Sequence, residues 1–155
     1  MTKLFNIHRS LGFTIVELLI SVGIIGILAA IAIPAYVGQQ NSARIGAAIS
    51  DIAAISLKLK GYLGDNDIAP ASLAEVHCEH YLDPWGHPYQ YLNIKTAKGK
   101  GKMRKDRFMV PINTYFDLYS MGPDGQSVSP LTAKVSRDDI IYAHDGEYIG
   151  PAEGF

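Results

Sequence analysis

The sequence predicts an α+β fold: one long N-terminal α-helix packed against a small antiparallel β-sheet. Three patterns predict it. No charged residue lies between Glu17 and Arg44, and most of that stretch is apolar. Apolar residues then recur at helical spacing from Ile45 to Leu63. Short alternating runs at Tyr89–Ile94 and Tyr115–Ser120 have the two-residue period of strands.

The first twelve residues, MTKLFNIHRSLG, carry Lys3 and Arg9 and no acid. The apolar run from Phe13 follows. An ordinary secretory signal places its small-residue cleavage site after the apolar region. Here Gly12 precedes it, so a cut after Gly12 removes the basic leader and keeps the apolar helix. Phe13 to Tyr36 makes roughly 36 Å of helix, against about 30 Å of bilayer hydrocarbon. Lys3 and Arg9 lie on one side of the run and no further cation comes before Arg44. The positive-inside rule then puts the N-terminus in the cytoplasm and the remainder across the membrane.

Glu17 is the anomaly, because a carboxylate within a spanning helix needs a reason. Cleavage after Gly12 creates an α-amine on Phe13, four residues away on the same helix. Glu17 can pair with that amine or, in a bundle of stems, with the amine of a neighbour. The second pairing fixes an axial stagger. Farther along, Pro34 removes a backbone donor and predicts a kink or a melted turn, with Gly23, Gly26 and Gly38 adding weakness.

The string Gly12-Phe13-Thr14-Ile15-Val16-Glu17 resembles the prepilin cleavage and methylation motif of type IV pilins and type II secretion pseudopilins, and Pro34 sits where that family keeps a proline. The resemblance implies cleavage after Gly12 and N-methylation of Phe13 by a prepilin peptidase, with Glu17, Thr14 and Pro34 as assembly positions. It implies a leader at 1–12, a transmembrane or filament-core helix at 13–37, and a periplasmic head at 38–155 that includes the amphipathic half of the helix.

Gly64-Asp65-Asn66-Asp67 ends the helix with turn residues. Pro70 to Leu82 reads as loop with a short helix. Asp83-Pro84-Trp85-Gly86 is a turn leading into the strand Tyr89–Ile94. Lys95 to Arg107 holds seven of the fourteen Lys and Arg residues and reads as a solvated loop. Phe108–Val110 and Tyr115–Ser120 read as strands broken by Pro111. Asp83 to Tyr89 and the stretch Tyr115 to Gly125, which ends in Gly122-Pro123-Asp124-Gly125, resemble segments of the major pseudopilin of type II secretion. Asp138-Asp139 resembles the paired acids that follow in that family.

Asp124, Asp138 and Asp139 offer hard oxygens, and Gly125 permits a sharp turn. The resemblance implies a structural calcium held by these three aspartates and the carbonyls of Met121 and Gln126. Such an ion would staple a head whose single cysteine, Cys78, allows no internal disulfide. Asp124 and Asp138 are fourteen positions apart, more than the family spacing. The insertion carries Lys134 and Arg137, which can neutralise the acids without metal, and Asp145 or Glu147 can substitute as ligands.

Other features carry less. His77-Cys78-Glu79-His80 lacks a second ligand pair for zinc. The basic loop has no interleaved aromatics for stacking on bases, and the net charge is −1, so no nucleic-acid partner is expected. No phosphate loop or nucleophile elbow argues for an enzyme. The expected function is a structural subunit of a type II secretion pseudopilus, a helical filament that drives export across the outer membrane. The expected partners are further copies, minor pseudopilins, the prepilin peptidase and methyltransferase, an inner-membrane platform, and lipid before assembly. The alternative is a type IV pilus subunit for adhesion, motility or DNA uptake.

Overall fold

The computed structural model describes residues 13–155; the leader and Gly12 lie outside them. The chain divides after Gln40 into two units. One α-helix, α1 (Ile15–Asn66), contributes to both. Four strands follow: β1 (Gln90–Asn93), β2 (Phe116–Ser120), β3 (Ile140–Ala143) and β4 (Tyr148–Pro151). They form one antiparallel sheet in the order β1-β2-β3-β4.

In the first unit the helix is apolar on every side. Phe13, Leu19, Ile20, Ile27, Leu28 and Ile33 are all more than half exposed. Among the described residues α1 is the one helix long and apolar enough to cross a membrane. No melted turn interrupts α1 at Pro34, and the helix is continuous through it. Proline costs a helix one hydrogen bond and a local clash.

In the second unit α1 buries Ala48, Ile52, Ile55 and Leu59 against Phe116, Leu118, Ile140 and Tyr142 of the sheet. The first four recur every three or four residues and so share one helix face. Burying each large side chain contributes about 1.5–3 kcal/mol. Phe116 stacks on Tyr142 with ring centroids 5.1 Å apart. Burial pushes the Tyr142 phenol up to about 12. α1 ends at Asn66, where Asp67 turns left-handed at φ 59° and its N–H bonds the Leu63 carbonyl at 2.9 Å. This is an αL cap, and the helix runs through three of the four turn residues that the sequence offered as its end.

A 3-10 turn at Leu73–Val76 supplies the short helix expected between Pro70 and Leu82. The loop after α1 is tied to β1 by Asn93, whose side-chain amide donates to the Ala69 carbonyl at 2.8 Å. The Tyr89 hydroxyl, pushed up chiefly by burial, donates to Asp51 of α1 at 2.9 Å.

The sheet's other face carries a second cluster. Ile141 and Ala143 alternate with Ile140 and Tyr142 along β3, and they pack with Ile112, Leu131 and Ala152. One expected strand is absent. Phe108–Val110 forms no ladder: Asp106 and Met109 close a turn, Arg107 is left-handed at φ 44°, and Phe108 is fully exposed. Three apolar residues without a partner strand or a core to face do not make a strand.

Candidate functional site

The head of α1 holds the motif. Thr14 precedes the first helical residue. Its hydroxyl accepts from the Glu17 N–H at 3.2 Å. In return one Glu17 carboxylate oxygen accepts the Thr14 N–H at 2.9 Å and the Thr14 hydroxyl at 2.8 Å. This is a capping box, with each residue satisfying a donor that the helix start leaves unpaired. Thr14 and Glu17 are therefore a unit three residues apart, and Glu17 is held at the end of the helix where the dipole favours a negative charge. Phe13 lies beside them, exposed.

The second constellation is in the head, where three loops meet. Asp83 is buried and organises its own turn. One carboxylate oxygen accepts the N–H groups of Trp85 at 3.0 Å and His87 at 2.8 Å. The other accepts the Ser120 hydroxyl at 2.5 Å, and Ser120 accepts the Gly122 N–H at 3.1 Å. The Asp83–Gly86 turn is thereby joined to the Gly122–Gly125 loop at the end of β2. A Cβ on Gly125 would meet the His87 ring at 2.7 Å, so only glycine lets that ring seat. Asp83→Ala removes all three acceptor contacts. We expect it to cost about 3 kcal/mol in thermal unfolding, and Asp83→Asn, which keeps one acceptor oxygen, to cost less.

The five expected calcium ligands lie as follows. Asp139 is fully buried, and its carboxylate is taken by the Arg104 guanidinium and by the Ser127 hydroxyl at 2.6 Å. Asp124 is exposed and caps its own turn through the Gln126 N–H at 2.8 Å. Asp138 packs its backbone carbonyl and one carboxylate oxygen against Gly122, while Met121 is half-buried and Gln126 is exposed. Asp145 serves Thr114 instead, accepting its N–H at 2.9 Å and its hydroxyl at 2.6 Å. Glu147 is exposed. Among the described residues no three His, Cys, Asp or Glu side chains are grouped to hold a metal. The cation that meets Asp139 is neither Lys134 nor Arg137, both exposed. It is Arg104, read from sequence as part of the solvated basic loop and here only 2% exposed.

Arg104 reaches across the sheet face opposite α1. Its own N–H donates to Asp117 at 2.7 Å. Its guanidinium donates to the Ser127 hydroxyl at 2.6 Å and the Val128 carbonyl at 2.7 Å, and lies 4.1 Å from the Tyr119 ring centroid. Burial pushes the Asp139 carboxyl up to about 6, against the pull of Ser127 and Arg104. Burial likewise raises Asp117, opposed by its bonds to Arg104 and Asn113.

Cys78 is sealed in the core, with its thiol 3.4 Å from the Val76 carbonyl, so the His77–His80 stretch is a turn over buried sulfur.

The model of the prokaryotic N-terminal methylation motif matches residues 7–33. Core protein G of type II secretion from Pseudomonas aeruginosa is 33% identical over 136 residues, 74% of this chain and 84% of the relative. Its counterpart from Klebsiella pneumoniae is 28% identical over 154 residues, 86% of this chain and 94% of the relative. The type IV major fimbrial protein FimA of Dichelobacter nodosus is 41% identical over 146 residues, 89% of this chain and 84% of the relative. No solved structure gives a significant match. With the methylation motif at the head of an exposed apolar helix and a four-stranded sheet behind it, the chain belongs to the type IV pilin-like proteins and, among them, to the core protein G family, the major pseudopilins of type II secretion.

Proposed function

We propose that this pseudopilus subunit waits in the inner membrane, N-terminus cytoplasmic and head periplasmic, is cut after Gly12 and methylated on Phe13, and is then drawn into a helical filament that drives exoproteins through the outer membrane. It performs no bond chemistry. The carrying observation is the pairing of the Gly12–Glu17 motif with a helix exposed and apolar on all sides. Lipid satisfies that surface before assembly, and neighbouring stems satisfy it afterwards. A prepilin peptidase, an inner-membrane platform and minor pseudopilins are the partners this cycle requires.

N-terminal sequencing and intact mass of the membrane-extracted protein test the first step. The expected chain begins at methylated Phe13 and loses the twelve-residue leader. A mature chain beginning at Met1 sinks the reading. Deleting the subunit is expected to abolish appearance of exoproteins in the medium. The resemblance to the fimbrial protein favours a second reading, a type IV pilus subunit. Long surface fibres with normal exoprotein secretion in the deletion strain would select it.

A further inference from the structure

We propose that Arg104 is the structural cation of the head, filling with a guanidinium the role the resemblance gives to calcium, so that the head folds independently of metal. The proposal rests on side-chain geometry and holds whichever filament the subunit builds.

Arg104 meets the requirements of an internal ion. It is nearly fully buried, and its guanidinium joins segments far apart in sequence, the Ser127–Val128 loop and Asp139 before β3, while its backbone N–H separately ties the segment to Asp117 of β2. A planar guanidinium offers five donors in a fixed fork, which suits a carboxylate, a hydroxyl and a carbonyl arranged around it. Tyr119 covers one face of the fork. A calcium ion needs six to eight oxygens. Here Asp139 has a single carboxylate oxygen without a partner, and Asp124 is engaged in its own turn. A divalent cation approaching that oxygen would also stand beside a fixed positive charge. The two cations therefore exclude each other.

The experiment uses the full-length chain in detergent, with thermal unfolding followed by Trp85 fluorescence. In wild type, about 10 mM calcium, above the range of weak extracellular sites, and excess chelator are expected to give midpoints within about 1 °C of each other. A calcium-raised midpoint overturns the proposal. Arg104→Met is expected to lower the midpoint by about 10 °C, because it strands a buried carboxylate. Asp139→Leu is also expected to lower it. The double variant, which removes both charges, is expected to lose much less than the sum of the two. Additive losses would mean the residues act separately and would overturn the pairing. Should Arg104→Met fail to fold, the wild-type comparison still decides.

Discussion

Glu17→Gln is expected to reduce exoprotein secretion to the level of the deletion strain while subunit abundance, membrane insertion and leader cleavage stay as in wild type. The geometry at the head of α1 makes this variant informative. Glu17 contributes to the helix through an oxygen that accepts from the Thr14 N–H and hydroxyl. Glutamine offers the same acceptor at the same place in a capping box. The helix start therefore survives, and only the negative charge is lost. Thr14→Val is the complementary variant, since it weakens the cap and keeps the charge. If charge sets the stagger between stems, Glu17→Gln fails to form fibres on electron microscopy and Thr14→Val still forms them. Normal fibres from Glu17→Gln would leave the capping box as the whole role of the residue.

The second large effect is expected at Gly122. Its φ is +64°, a region that costs a residue with a Cβ about 1–2 kcal/mol. The added Cβ would also lie 2.4 Å from the Asp138 carbonyl oxygen and 2.9 Å from its carbonyl carbon. Both atoms are backbone and cannot rotate away. Gly122→Ala must therefore shift the loop, and with it the Gly122 N–H that Ser120 accepts and the Ser120–Asp83 bond behind it. Overpacking of this kind adds about 1–3 kcal/mol, so a total near 3 kcal/mol and a fall of about 10 °C in melting midpoint are expected. Gly125→Ala has the same backbone strain, but its Cβ would meet only the side chain of His87, which can turn. It should lose clearly less. Equal losses at the two glycines would show that strain, not contact with Asp138, dominates.

How much of this was legible depended on how local the physics is. α1 was legible because its period and its turn residues at 64–67 are consecutive in the chain. β1 and β2 were legible because one face of each packs on α1 and the sequence alternates accordingly. β3 was not, since Ile140–Ala143 is buried on both faces and shows no alternation. β4 carries Gly150 and Pro151, residues that weaken a strand's signal. Phe108–Val110 misled by composition alone. The Asp83–Ser120 and Arg104–Asp139 contacts span 37 and 35 positions. Arg104 looked like any other cation in a run of seven, and nothing local marked it as the one that goes inside. The partner that Asp139 finds in Arg104 was equally out of view.

The uniform greasiness of the stem has a thermodynamic corollary. Hydrocarbon chains and a ring of like helices solvate such a surface about equally well, so the apolar residues by themselves give little drive from bilayer to fibre. In the proposed cycle, direction would then have to come from elsewhere, from the Glu17 charge and from whatever feeds the base of the fibre.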